Sequence, residues 1–161
     1  MTLKEYNNSV DMFSDGIYRF ILKNIRDKDK AKDIVQETYL KLWKKVDEVS
    51  AEKVKPYLFT TAYRTMIDQI RRDKKIVRLD DIDQQQMLYT ENYTDTREIL
   101  DKAIDKLPEK QKAVILLRDY EGYSYNEIAE ITSLNESQVK VYIYRARVFL
   151  KEQIKSPHFV I

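Results

Sequence analysis

The residues that most clearly indicate a binding surface lie on a helix predicted near the carboxyl end of the chain. With Val139 set at zero and about 100° added per residue, one stripe of this helix is apolar and is predicted to face a core. That stripe contains Val139, Ile143, Ala146 and Leu150. The opposite face carries Ser137, Val141, Tyr144 and Val148, flanked by Lys140 and Arg145. Because a solvated face seldom carries apolar residues in line, this face is predicted to bind a partner.

Duplex DNA suits this mixture of side chains. In a major groove, Val141 can contact a thymine methyl group, and Tyr144 can meet base edges or phosphate. Lys140 and Arg145 can bind phosphate or guanine. A protein–protein contact is the alternative, and it applies most to Val148.

A second interface is predicted on the helix expected at about 29–47. With Val35 at zero, the outward residues are Asp33, Glu37, Leu40 and Lys44, with Gln36 and Trp43 beside them. Carboxylates next to an exposed leucine and a tryptophan are typical of a protein interface rather than of a solvated surface. The alternative for Trp43 is simple core filling, since tryptophans are often partly buried.

The composition excludes several kinds of catalysis. The 161 residues contain no cysteine and a single histidine, His158. Metal sites of the Cys/His kind and thiol or histidine nucleophiles are therefore excluded, and carboxylate chemistry has no accompanying pocket motif. The first residues lack a signal-peptide pattern, and no apolar run approaches the roughly 18 residues of a membrane span. We expect a cytoplasmic binding protein that is not an enzyme, has no cofactor and does not insert into a membrane.

Charge is distributed unevenly along the chain. The net charge of +2 is too small to argue for nucleic-acid binding by itself. However, the stretch 71–78 contains Arg71, Arg72, Lys74, Lys75 and Arg78 against Asp73, whereas 79–105 is strongly acidic. The basic stretch is a candidate phosphate-binding segment.

Scarce glycine and proline, together with helical spacing of the apolar residues, predict an all-α chain of two small helical domains joined by a flexible acidic linker. The first domain is predicted over 1–76, with helices at about 5–25, 29–47 and 56–75. The linker is predicted over 77–94. The second domain is predicted over 95–155, with helices at about 95–106, 108–120, 124–131 and 135–155, followed by a tail at 156–161.

The last two predicted helices and their three-residue turn form a helix-turn-helix. Capping-box patterns at Ser124 with Glu127 and at Asn135 with Gln138 mark the two helix starts. Ser133 occupies the position where a glycine is usual in such a turn. If φ is positive there, the serine carries strain of about 1 kcal/mol.

Three segments in this order resemble the extracytoplasmic-function sigma factors of bacterial RNA polymerase. They are AKDIVQETYLKLW (31–43), LPEKQKAVILL (107–117) and YEGYSYNEIAEITSLNESQVKVYIYRARVFL (120–150). The resemblance covers nearly the whole chain. It implies a two-domain factor that binds core polymerase at the β′ clamp helices and the β flap, directs it to promoters and starts DNA-templated transcription.

The resemblance also implies roles for individual residues. Core polymerase would bind the D-x-x-Q-E residues and their neighbours, here Asp33, Gln36, Glu37, Leu40 and Trp43. The minus-ten element would meet Arg64, Asp68, Arg71, Arg72, Lys74 and Lys75. The minus-thirty-five element would meet Ser137, Gln138, Lys140, Val141, Tyr144, Arg145 and Arg147. Members of the family are often held inactive by an anti-sigma protein, in many cases a membrane-bound one.

The chain departs from the family pattern on the surfaces that contact DNA. Arg64 replaces a common asparagine, Thr60 a common arginine and Tyr57 a common tryptophan. In the recognition helix, Val141 and Tyr142 replace a frequent serine–arginine pair. The base preferences of the family are therefore not transferred to this chain.

Two other functions remain open from the residues alone. A free-standing helix-turn-helix regulator would dimerise on a palindrome, and it would need neither the outward carboxylates nor the basic first domain. A helical scaffold that binds only protein would leave Lys140, Arg145 and the basic helix end without a role.

Overall fold

The computed structural model describes residues 1–80 and 96–155, and every regular element in these ranges is helical. The predicted all-α class is therefore confirmed. The amino-terminal bundle contains α1 (Leu3–Ile25), α2 (Lys28–Lys44), a 3-10 turn (Ala51–Lys53) and α3 (Val54–Asp80). The carboxy-terminal bundle contains α4 (Thr96–Asp105), α5 (Glu109–Ile115), a π turn (Leu116–Tyr120), α6 (Tyr125–Thr132) and α7 (Glu136–Lys155).

Side-chain caps define the starts of α1 and α2. The Glu5 amide donates to Thr2 Oγ1 at 3.1 Å, and the Thr2 amide donates back to Glu5 Oε1 at 2.8 Å. This capping box starts α1 two residues earlier than the apolar stripe predicts. Arg26 then ends α1 in the left-handed region, at φ 54°. Asp27 accepts a hydrogen bond from the Lys30 amide and starts α2.

The third helix is longer than the sequence indicates. It begins at Val54, so Pro56 lies in its first turn, where a missing N–H breaks no helical hydrogen bond. It continues to Asp80, past the predicted end at about 75, because residues 76–80 contain neither glycine nor proline. The remainder of the predicted linker, residues 81–95, lies outside the described residues, as does the tail at 156–161.

The amino-terminal core forms where α1, α2 and α3 meet. Its largest fully buried side chains are Ile17, Phe20, Ile21, Ile34, Leu42, Leu58, Phe59 and Met66. Two tyrosines link α1 to α2: Tyr39 donates its hydroxyl to the Ser9 carbonyl at 2.7 Å, and Tyr6 donates to the Tyr39 carbonyl at 3.0 Å. Reciprocal contacts of this kind restrict sliding between the two helices.

The carboxy-terminal bundle contains the predicted helix-turn-helix. The predicted capping box of α6 is present, with the Glu127 amide donating to Ser124 Oγ. The same pattern starts α7, where Asn135 and Gln138 exchange hydrogen bonds of 2.7 and 3.0 Å. Ser133 lies between the two helices with a φ of 61°. Its φ is therefore positive, which is the condition under which strain is predicted for this serine. The predicted inward stripe of α7 is buried in full.

The helix predicted at 108–120 differs from the observed structure at its start and in its last turn. Pro108 precedes α5 rather than opening it, and the last turn widens into the π turn. The Glu121 amide closes this turn on the Leu116 carbonyl at 3.1 Å. Glu121 and Tyr123 follow directly, and both contact the amino-terminal bundle. The two bundles therefore pack against each other.

Candidate functional site

The predicted protein-binding residues of α2 lie together on an open surface, which we call the α2 patch (Asp33, Gln36, Glu37, Leu40 and Trp43). All five side chains are exposed, including 51% of Leu40 and 49% of Trp43. Glu37 forms an ion pair with Lys41 at 3.2 Å, one helical turn away. The alternative prediction that Trp43 fills the core does not hold, since half of its surface faces solvent.

Trp43 is nevertheless held in place from one side. The Tyr6 ring meets the indole edge-on, with ring centroids 5.3 Å apart and planes at 74°. Tyr6 is itself fixed by its hydrogen bond to the Tyr39 carbonyl, and its ring contacts the Tyr39 ring at 6.0 Å. The role of Tyr6 cannot be recognised from the sequence, because its position on α1 gives no sign that it meets α2. A prepositioned aromatic side chain loses less conformational freedom on binding.

The predicted minus-ten residues lie along α3, and all six are exposed. Helical spacing puts four of them on one side of the helix: Arg64, Asp68, Arg71 and Lys75. Arg64, Asp68 and Arg71 line an open cleft of about 320 Å³, whose opposite wall belongs to the carboxy-terminal bundle. Lys74 lies 3.9 Å from Glu109 of that bundle. The intervening Asp73 accepts a hydrogen bond from Lys30 at 2.7 Å, so its carboxylate is already engaged.

The predicted minus-thirty-five residues lie on α7, and all seven are exposed. Tyr144 is 69% exposed and Val141 43%. Lys140 has Glu136 at 3.9 Å and lies 5.8 Å above the Tyr125 ring, so it stays near the surface of the bundle. The seven predicted minus-thirty-five residues form a surface that mixes apolar and basic groups, which we call the α7 face.

Two of these seven residues have structural partners as well. Gln138 caps α7 with its side-chain oxygen, which leaves its NH₂ group for other contacts. Arg147 donates to both Asp119 oxygens, at 2.6 and 3.4 Å, and this pairing raises the pKa of Arg147. Sequence spacing gave no sign of the pairing, because Asp119 lies in the π turn.

The strongest pKa shifts of the described residues belong to buried groups with a structural role. Burial raises the pKa of Tyr39 to about 12 and that of Tyr63 to about 12, so both hydroxyls are protonated at neutral pH. Burial lowers the pKa of Lys112, which donates to the Asn24 carbonyl at 3.2 Å. In the part of the chain that the structure describes, no group of acidic, histidine or cysteine side chains is arranged to hold a metal ion. Within the same ranges, no helix is long and apolar enough to cross a membrane.

Comparisons with known proteins agree with this arrangement. Residues 10–76 match the family described as Sigma-70 region 2, and residues 97–150 match Sigma-70, region 4. The chain is 36% identical over 140 residues to RNA polymerase sigma factor SigV of Bacillus subtilis (strain 168), covering 85% of this chain and 83% of SigV. It is 29% identical over 145 residues to ECF RNA polymerase sigma factor SigM of the same organism, covering 87% and 89% of the two chains.

A solved structure is similar over almost the full length. The sigma factor RpoE of Bartonella quintana, crystallised in complex with the anti-sigma factor NepR, superposes with a TM-score of 0.81 at 25% identity. The match covers 96% of this chain and 99% of that chain, so it includes both bundles. With both sigma regions present in order on two helical bundles, the chain belongs to the extracytoplasmic-function sigma factors, which direct bacterial RNA polymerase to promoters.

Proposed function

We propose that the chain binds core polymerase through the α2 patch, contacts the minus-ten element through α3 and contacts the minus-thirty-five element through the α7 face. We assign these roles to residues 1–76 and 95–155 as two separate domains. The observation that carries the proposal is the α2 patch. Its carboxylates lie beside a half-exposed leucine and a prepositioned tryptophan, a composition suited to burial against another protein.

The two DNA-contacting surfaces would contribute differently. Arg71, Arg72, Lys74 and Lys75 would bind phosphates, so their contribution would fall steeply as salt rises. On the α7 face, Val141 and Tyr144 would reach base edges while Lys140 and Arg145 bind phosphate or guanine. Arg147 would reach DNA only through the N–H groups that Asp119 leaves unused.

The proposed role is one of binding, without catalysis, in the cytoplasm where core polymerase acts. The β flap is the second polymerase element that we propose as a contact, on the carboxy-terminal domain. An anti-sigma factor is a further proposed partner, since the similar Bartonella sigma factor was crystallised with one.

The experiment is a pull-down of core polymerase with the full chain. Replacing Asp33 and Gln36 together by alanine should strongly reduce the polymerase recovered. The matched control is Asn8→Ala with Asp11→Ala, an exposed amide and an exposed carboxylate three residues apart on α1. Equal recovery of polymerase by both double variants, with unchanged thermal melting, would refute the α2 patch as the docking surface.

The same purified chain also distinguishes a sigma factor from a free-standing helix-turn-helix regulator. If the chain alone binds duplex promoter DNA tightly and specifically, and core polymerase does not improve this binding, the regulator function is favoured. A sigma factor requires polymerase for that specificity.

A further inference from the structure

Trp43 lies where α2 itself gives a side chain little support. It is the last residue but one of α2, and the ends of helices fray. Half of its surface faces solvent, and exposed side chains change rotamer within nanoseconds. A fixed orientation of the indole therefore depends on a contact from outside α2.

Tyr6 of α1 supplies that contact. Its ring meets the indole edge-on at a centroid distance of 5.3 Å, which is a favourable geometry for two aromatic rings. Among the described residues, Tyr6 is the one aromatic residue whose ring contacts Trp43. Tyr6 is partly buried against the core of its bundle, so it is held more firmly than the tryptophan that it contacts.

Three hydrogen bonds in a closed ring hold Tyr6 itself. The Tyr6 hydroxyl donates to the Tyr39 carbonyl at 3.0 Å, and the Tyr39 hydroxyl donates to the Ser9 carbonyl at 2.7 Å. The Ser9 hydroxyl then donates to the Tyr6 carbonyl at 2.6 Å. Burial raises the pKa of Tyr6, so its hydroxyl stays protonated and remains a donor. Turning the Tyr6 ring would break a partly buried hydrogen bond, which opposes the motion.

We infer that Tyr6 is a positioning residue for core polymerase binding, which acts by holding the Trp43 indole in the orientation that the polymerase contacts. This inference rests on the proposed role of the α2 patch. An anchor that is already oriented loses less conformational freedom on binding, so loss of the Tyr6 ring should weaken polymerase binding about fivefold. Tyr6 acts through Trp43 and is not itself the contact.

The orientation of Trp43 can be measured directly, because it is the single tryptophan of the chain. Time-resolved fluorescence anisotropy of the full chain reports how fast the indole moves. Tyr6→Leu removes the ring edge and should increase the fast component of the decay, whereas Tyr6→Phe keeps the ring and should stay close to the wild type. The matched control is Phe13→Leu, which removes a partly buried ring from the same face of α1 two turns away and should leave the indole unaffected.

Polymerase binding is then measured by titrating core polymerase with the same proteins. Tyr6→Leu should bind about fivefold more weakly than the wild type, and Tyr6→Phe should restore most of the affinity. Phe13→Leu should bind as the wild type does. In a Trp43→Ala background, Tyr6→Leu should cause little further loss, because two residues that act through one contact are not additive.

The double variant separates positioning from direct contact. A fivefold loss that persists in the Trp43→Ala background overturns the inference, since Tyr6 would then contact the polymerase itself. Unchanged indole motion in Tyr6→Leu overturns it too, as does wild-type affinity in that variant or an equal loss of affinity in Phe13→Leu. If Trp43→Ala alone binds core polymerase as tightly as the wild type, the proposed docking surface fails instead, and the anisotropy still shows whether Tyr6 holds the indole.

Discussion

The α2 patch and the α7 face both present apolar side chains beside charged ones, yet they differ in charge and in support. The α2 patch is acidic, and its tryptophan rests against Tyr6. The α7 face is basic around Val141 and Tyr144, and Tyr144 is 69% exposed. A group of exposed apolar residues on one face therefore indicates binding without identifying the partner. The sign of the surrounding charge separates a surface suited to a basic or neutral protein face from one suited to phosphate.

Trp43→Ala should have the largest effect on either surface. Removing a prepositioned aromatic anchor is expected to weaken core polymerase binding by about 2 kcal/mol, or about 30-fold. Titration of labelled core polymerase measures this change. Met12→Ala, which removes a 70% exposed apolar side chain from α1, should change the affinity little. Equal losses in the two variants would show that Trp43 is not an anchor.

Arg145→Ala should act on DNA and leave polymerase binding unchanged. Losing one cationic contact in the major groove is expected to cost about 1.4 kcal/mol, or about tenfold, in promoter binding by the holoenzyme. The loss should appear on promoters that depend on the upstream element. Lys106→Ala removes an exposed cation from the turn after α4 and serves as the control. If Arg145→Ala also weakens binding to core polymerase, the α7 face contacts protein instead.

Lys140→Ala should change the salt dependence of promoter binding more than the promoter affinity itself. One lost phosphate contact lowers the slope of log affinity against log salt by about 1, whatever the promoter sequence. Promoter binding measured at several salt concentrations gives this slope. The corresponding slope for core polymerase binding should stay at its wild-type value, and a change there would contradict the division of roles between α2 and α7.

Ser133→Gly should have the smallest effect. It changes the turn that precedes α7. At φ 61° a serine carries left-handed strain that glycine does not, so the variant should gain less than about 1 kcal/mol in free energy of unfolding. Thermal melting measures the gain. Asn126→Gly, at an exposed position inside α6, should instead lower the melting temperature. A lower melting temperature for Ser133→Gly would show that the strain relieved is smaller than the extra conformational entropy that glycine gives to the unfolded chain.

The sequence alone was sufficient for the helix-turn-helix. Capping residues act within one turn, and Ser124 with Glu127 and Asn135 with Gln138 form their hydrogen bonds as the spacing predicts. The spacing of apolar residues along α7 likewise predicts its buried stripe, because each residue of a helix is turned by a constant angle from the one before it. The roles of the exposed residues on α2, α3 and α7 stay predictions, since exposure alone tests none of them.

Tertiary structure decided how the two halves of the chain meet. The aromatic support under Trp43 and the pairing of Arg147 with Asp119 both involve residues whose local sequence pattern is ordinary. Arg19 and Glu121 are 102 positions apart, and each on its own is a typical surface charge. Local periodicity contains no information about partners at such distances. Which charges meet therefore follows only from the packing of the two bundles.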